Sequence, residues 1–268
     1  MTEQNDISKK TLLDTLSKIK HRILVFSGKG GVGKSTVAVN LAVALSERGK
    51  KVGLLDVDIH GPNVAKMLGV EDKRMEPVQG DKILPVSVSK NLSLVSMSFF
   101  LHDQATPVIW RGPLKIKLIQ QFIGDVVWGE LDYLIIDSPP GTGDEPLTIA
   151  QLIPASGAIV VTTPQEVSLL DSRKAVNFAR KLDLTIHGIV ENMSSMSCPH
   201  CGKPIDVFKT GGGERVAQEL GIPFLGSIPL EPKIVALCDE GKSFILYDRG
   251  SDAAKTFNKI VDRIITGL

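Results

Sequence analysis

Arg22-Ile23-Leu24-Val25-Phe26-Ser27 runs straight into Gly28-Lys29-Gly30-Gly31-Val32-Gly33-Lys34-Ser35-Thr36, and that junction decides the fold. The first stretch is an apolar, β-branched run that reads as a buried strand. From Lys34 to Arg48 apolar residues recur at three- and four-residue spacing, which reads as a helix. Between the two lies GxxxxGK[ST], a pattern whose meaning depends on this strand-to-helix setting. Its glycines let the backbone curl so that N–H groups converge on phosphate oxygens, and the helix that follows adds the positive end of its dipole. Lys34 is placed to meet β- and γ-phosphates, and the Ser35 hydroxyl to enter a Mg²⁺ shell. A glycine-rich turn without a ligand is the plain alternative, and it leaves the complete pattern unexplained. Gly28, Lys29, Gly30, Gly31, Val32, Gly33, Lys34, Ser35 and Thr36 are therefore read as the phosphate site of a nucleotide.

Further apolar runs repeat the strand pattern at Lys51–Val57, Leu131–Asp137, Ala158–Thr163, Thr185–Glu191 and Pro223–Ile228. Helical spacing recurs between them at Pro113–Val127, Gln165–Lys181, Gly213–Leu220 and Ser251–Thr266. The class that follows is α/β: a doubly wound, mostly parallel sheet with helices on both faces. The 268 residues suffice for one large core. The simplest division is an N-terminal amphipathic arm over 1–20 and a single ATPase domain over 21–268, with a loop at 193–213 rich in Cys, Pro, Gly and Ser. Residues 62–110 are the least legible, read as a short helix at Pro62–Leu68 and one or two extra strands. With 31 basic and 30 acidic residues there is no global field for nucleic acid or an anionic membrane. The first residues lack the apolar core of a leader, and charges interrupt every candidate membrane span, so the expectation is a cytoplasmic protein with no stable membrane association.

Leu131–Asp137 is an apolar strand ending in a carboxylate, which suits Asp137 to hold Mg²⁺, although the same residue could merely cap the next turn. Ser138-Pro139-Pro140-Gly141-Thr142-Gly143-Asp144 follows it and reads as a mobile switch loop. A second strand runs into Asp56-Val57-Asp58-Ile59-His60-Gly61-Pro62, placing two carboxylates at the carboxyl edge of the sheet, where open α/β sheets bind ligands. Side chains alternate, so Asp56 and Asp58 share a face if the strand extends that far. Either could instead be a solvated aspartate at a strand end. No guanine-specific aspartate motif is visible, which favours ATP.

Cys198-Pro199-His200-Cys201-Gly202 gives two thiols at a spacing that grips one metal centre from two sides. A tetrahedral thiolate site needs two more ligands. The remaining cysteine, Cys238, lies in the expected helix Lys233–Asp239 and reads as a buried structural thiol.

The GKGGVGKST string resembles the deviant Walker A motif of the MinD/ParA/nitrogenase-iron-protein group. Together with DxDxxGP, Trp110-Arg111-Gly112-Pro113, the 138–144 loop, Glu191-Asn192-Met193-Ser194, the cysteine pair and Ile228-Pro229-Leu230-Glu231-Pro232, taken in order from Arg22 to the end, it makes the chain similar to the Mrp/ApbC family of iron–sulfur cluster carrier ATPases. That resemblance implies a homodimer that holds a [4Fe–4S] cluster between the Cys198 and Cys201 pairs of two subunits, receives it from cluster donors and hands it to acceptor apo-proteins. It implies that Lys29 reaches across the dimer to the other nucleotide, that Asp58 orients the attacking water with Asp56 in support near Mg²⁺, and that Lys34 takes part in hydrolysis. It further implies that Asn192 meets adenine, with Pro229 and Glu231 beside the base. For Glu231 a carboxylate at a helix start is an equally good reading. Trp110–Pro113 would lie near the dimer interface, though a helix start with proline just inside accounts for it as well.

Three other readings compete. A lone CxxC raises a thioredoxin-like possibility, against which the pair lies in a loop rather than opening a helix after a strand. Zinc is accepted by the same thiolates as iron. The remaining class is a spatial or partition ATPase of the MinD/ParA sort, with structural zinc at the pair and the final helix lying on a membrane; that helix has a mixed polar face, which favours packing on the sheet.

Overall fold

A computed structural model describes residues 12–58, 61–80, 82–100, 119–198 and 200–267. Twelve strands and eight complete helices are placed among them, with further helical stretches at 12–17 and 119–124, and eight of the strands form one sheet. β1 (Ile19–Phe26), β2 (Val52–Asp56), β5 (Val86–Ser89), β6 (Leu92–Ser96), β7 (Leu131–Asp137), β8 (Gly157–Thr162), β9 (Ile186–Glu191) and β12 (Phe224–Ser227) lie in the order β12-β9-β8-β1-β7-β2-β6-β5. All neighbours run parallel except the edge pair β5 and β6. The doubly wound sheet is therefore as the hydrophobic runs predict. Its strand ends lie within three residues of the expected ones, with β7 matching at both ends, and β1 begins at Ile19, so the last two residues of the expected arm belong to the sheet.

The two faces carry separate cores. On one, α1 (Lys34–Glu47), α7 (Phe244–Tyr247) and α8 (Asp252–Thr266) bury Leu41, Leu45, Phe244 and Phe257 against Ile23, Val25 and Val190. On the other, α4 (Glu166–Lys181) and α5 (Gly212–Leu220) meet Leu24, Phe26 and Ile189. α8 buries Ala254, Phe257, Ile260, Val261 and Ile264 in the first core, which is the sheet-packing outcome rather than a membrane-facing one. Among the described residues no helix is long and apolar enough to cross a membrane. Residues 12–17 of the expected arm are helical, and Leu12 and Leu16 are buried in the second core.

The poorly legible region holds α2 (Val64–Met67), the edge strands β5 and β6, and a separate hairpin of β3 (Glu76–Val78) and β4 (Lys82–Leu84). Short strands of mixed polarity carry little periodicity, which is why four strands stand where one or two were expected. α3 (Asp144–Leu152) was also not foreseen; it starts at the end of the switch stretch with Asp144 and Glu145 in its first turn, where their charge suits the helix dipole. α6 (Pro232–Asp239) begins one residue before the expected Lys233. Of the expected helix Pro113–Val127 only residues 119–124 appear as helix; its earlier part and Trp110–Pro113 lie outside the described residues.

Candidate functional site

Parallel strands deliver their last residues to one edge, and the candidate residues collect there. β2 and β7 are paired with Asp56 opposite Asp137. The phosphate loop leaves β1 between β7 and β8. Within it Gly31 and Gly33 have φ of 80° and 82°, a region that costs any other residue about 1–2 kcal/mol. Gly33 is constrained twice, since a Cβ there would lie 2.1 Å from Nδ2 of Asn192. At Gly28 a Cβ would lie 2.2 Å from the carbonyl oxygen of Asp171, so α4 packs directly on the loop backbone.

Lys34 is buried and turns its ammonium onto the strand-end carboxylates: Nζ is 2.6 Å from Asp137 Oδ1, 3.9 Å from Asp58 Oδ2 and 3.2 Å from the Ser35 hydroxyl. Asp137 Oδ2 is buried and has no hydrogen-bond partner. Burial raises the Asp137 carboxyl above its ordinary range, while the Lys34 ammonium opposes that rise. Asp56 is fully buried, and both of its oxygens have donors: Oδ1 accepts from the Asp58 N–H at 3.1 Å and Oδ2 from the Ser96 hydroxyl at 2.8 Å. Burial, and then the neighbouring Asp137 charge, push it up to about 8. β2 ends at Asp56, so Asp58 is placed by a turn rather than by strand alternation, and its Oδ1 accepts from the Gly61 N–H at 3.2 Å. Ser96, from the least legible part of the chain, is a supporting residue that no sequence pattern singles out.

The donor set suits a divalent cation. A buried carboxylate oxygen without a partner, on the same carboxylate that meets Lys34 and close to the Ser35 hydroxyl, is what a hard cation with oxygen ligands needs. The switch stretch is anchored beside the phosphate loop, with the Gly141 N–H donating to the Ser27 carbonyl at 2.9 Å and Gly141 at φ 97°.

Asn192, Pro229 and Glu231 line one cleft of about 400 Å³ with Thr36, Met67, Met193 and Cys238. Sequence resemblance brings the first three together and the structure does likewise. Two details differ from the expectation. Asn192 donates from Nδ2 to the Val32 carbonyl at 3.0 Å, so its amide also braces the phosphate loop. Glu231 directs its carboxylate to the Ala253 N–H at 2.9 Å, in the first turn of α8, which is the helix-start alternative. Cys238 is half-buried and lines the cleft, which corrects its reading as a buried structural thiol.

The stretch 193–213 is not one long loop. β10 (Met196–Ser197) and β11 (Pro204–Ile205) make a small antiparallel hairpin, and α5 starts at Gly212. Cys198 and Cys201 sit in its turn, where the Cys198 N–H donates to the Lys203 carbonyl at 2.8 Å and the Gly202 N–H to the Cys198 carbonyl at 2.9 Å. Cys201 is exposed and Cys198 half-exposed, and the backbone N–H groups of His200 and Cys201 lower the Cys198 pKa. This turn sits on a hairpin and not at a helix start, unlike a thioredoxin-type pair. Among the described residues no group of three His, Cys, Asp or Glu side chains forms a metal cage, so no third such ligand joins the two thiols. Lys29 borders an open cleft of about 560 Å³ with Glu166, Val167, Val207 and Lys209, between the phosphate loop, α4 and the segment that follows the hairpin.

Comparison with known proteins places the chain in a family. Residues 18–265 fit the model of the NUBPL iron-transfer P-loop NTPases, of the ParA type. The chain belongs to that family. It is 55% identical over 254 residues to an iron–sulfur cluster carrier protein of Methanocaldococcus jannaschii, covering 94% of this chain and 86% of that one. It is 48% identical over 260 residues to the human cytosolic Fe–S cluster assembly factor NUBP2, covering 93% and 94%. Among solved structures it resembles a nucleotide-binding protein of Archaeoglobus fulgidus in complex with ADP, with a TM-score of 0.78, 38% identity and coverage of 88% and 92%. The chain is thus a P-loop NTPase of an iron-transfer family, and these likenesses favour the carrier reading over the partition one.

Proposed function

We propose that this protein is an ATP-hydrolysing iron–sulfur cluster carrier that works in the cytoplasm as a homodimer, takes a [4Fe–4S] cluster as cargo from donor proteins and passes it to acceptor apo-proteins. The observation that carries this reading is the solvent-facing turn bearing Cys198 and Cys201, with no third His, Cys, Asp or Glu ligand beside it among the described residues. Two thiolates satisfy half of a four-thiolate centre, and a second copy about a twofold axis supplies the other half.

For hydrolysis, the attacking water adds to the γ-phosphorus as the bond to the β,γ-bridging oxygen breaks, giving phosphate and ADP. Asp58 orients that water. Lys34 leaves Asp137 and moves to the phosphates, neutralising charge as it develops. Asp137 Oδ2 and the Ser35 hydroxyl would hold Mg²⁺, which supplies charge neutralisation between the β- and γ-phosphates. Asp56, with both oxygens engaged, fixes the Asp58 backbone. Lys29 contributes to the nucleotide of the second copy, so that turnover depends on closure. Asn192, Met193 and Pro229 surround the base.

The test is anaerobic reconstitution followed by iron and sulfide analysis and sizing. About four irons and four sulfides per two chains are expected, as for one Cys₄-ligated cluster. Cys198→Ala and Cys201→Ala each abolish stable binding and transfer, and Cys238→Ala does neither. A monomer with a full cluster, or zinc taken up in place of iron by the protein as isolated, overturns the carrier assignment and leaves the ATPase.

A further inference from the structure

Glu191, the last residue of β9, is a fully buried carboxylate that neither nucleotide nor cargo chemistry uses. A buried charge persists only where it is thoroughly hydrogen-bonded, and this one accepts from four donors. Oε1 takes the Ser194 hydroxyl at 2.9 Å, the Ser227 hydroxyl at 3.1 Å and the Gly211 N–H at 3.2 Å, and Oε2 takes the Gly213 N–H at 2.6 Å. Ser194 precedes the thiol hairpin, whereas Gly211 and Gly213 follow it. One carboxylate therefore gathers both feet of the segment that carries Cys198 and Cys201.

The next residue, Asn192, holds the Val32 carbonyl of the phosphate loop. Around the pair the backbone is stitched to the base cleft: the Ser194 N–H donates to the Ile228 carbonyl at 3.0 Å, and the Leu230 N–H to the Ser195 carbonyl at 2.9 Å. Two consecutive residues thus hold the phosphate loop on one side and both feet of the hairpin segment on the other.

We propose that Glu191 is a positioning residue that clamps the feet of the thiol hairpin to the nucleotide site, so that filling the phosphate loop changes how Cys198 and Cys201 are presented. The thiols are the readout whatever they carry, and only the biological meaning of the link rests on the carrier reading. In Glu191→Gln the amide has one oxygen, and its NH₂ must face an N–H or hydroxyl donor. At least one foot is then released, while the residues that meet ATP are untouched.

The experiment is alkylation of the metal-free full-length protein with iodoacetamide, following Cys198 and Cys201 by mass spectrometry without nucleotide, with ADP and with a non-hydrolysable ATP analogue. Wild type is expected to show a nucleotide-dependent change in rate of about fivefold or more, the lower end of ordinary coupling between sites. Glu191→Gln is expected to keep its affinity for ADP and a cooperative melt while the ratio of rates with and without nucleotide falls to about one, and the retained affinity and melt separate a lost link from lost structure. Should Glu191→Gln not give a cooperative melt, Ser194→Ala removes a single donor at the leading foot and must lower the ratio. An unchanged ratio in a folded variant, or no nucleotide effect in wild type, overturns the clamp. Failure of wild type to take up iron while the ratio behaves as described removes the carrier reading and leaves the clamp standing.

Discussion

Gly33→Ala tests whether Asn192 is a strut of the phosphate loop. The substituted residue would have to hold φ near 82°, which costs about 1–2 kcal/mol for an L-residue. Its Cβ would also stand 2.1 Å from Asn192 Nδ2, so the amide must move and its hydrogen bond to Val32 is lost, about 0.5–1.5 kcal/mol more. Together these give about 1.5–3.5 kcal/mol, which for a chain of this size lowers the melting midpoint of the nucleotide-free protein by roughly 3–14 °C. Asn192→Ala removes the obstacle and the hydrogen bond, at about 1 kcal/mol. In that background Gly33→Ala should retain only the backbone cost, so the double variant is more stable than the two single effects predict by the shared hydrogen bond, about 0.5–1.5 kcal/mol. Thermal melts of the four proteins without nucleotide measure the cycle. Additive effects, or a Gly33→Ala midpoint within a degree of wild type, would refute contact between the two residues.

Asp58→Asn is expected to bind ATP with near wild-type affinity and to hydrolyse it at least ~100-fold more slowly, measured by calorimetry and phosphate release; turnover at the wild-type rate removes the water-orienting role. Lys29→Ala should lower turnover and ATP-dependent dimerisation while ADP affinity stays within about threefold, and equal losses in all three would make Lys29 a ligand of its own nucleotide. Cys238, whose thiol is held above its ordinary pKa by burial and then by Asp239, should alkylate slowly at pH 7, with a rate that climbs through an inflection above 9.0, and ADP should protect it because it lines the base cleft. Reaction unaffected by ADP would place the base elsewhere.

The parts of the fold that were legible are those in which one residue pattern has one physical reading. The strand before Gly28, the helix after Lys34 and the carboxylate at Asp137 follow from burial on both faces of a parallel sheet and from the needs of phosphate. The strands β3 to β6 were not, because runs of three to five residues are too short to alternate cleanly or to read as continuously apolar. At the site, Asp56 and Asp58 and the roles expected of them came with the resemblance, but the partners of Asp56 did not. Ser96, forty positions away in sequence, sets its hydroxyl on Asp56 Oδ2, and no local pattern points to it. Asn192 was found through resemblance to adenine-binding relatives, and its contact with Val32 depends on how β9 and the loop after β1 meet, which no local pattern encodes.

Alternation along β9 explains why two neighbouring residues can serve two sites. Val190 is buried in the core beneath α1, and Ile189 in the core beneath α4 and α5. Carried two positions on, the same alternation sends Asn192 toward the phosphate loop that opens α1 and Glu191 toward Gly213 at the start of α5. A shift of one residue in the pairing of β8 with β9, which sets Thr162 opposite Glu191, would exchange the two faces and place a carboxylate against the phosphate loop. The apolar pattern that fixes the register of this strand therefore also fixes which side chain faces the phosphates and which holds the thiols. Changes to the core at Val190 or Ile189 should be felt at both sites, whereas exposed changes on the hairpin, such as Lys203→Ala, should leave the nucleotide site alone.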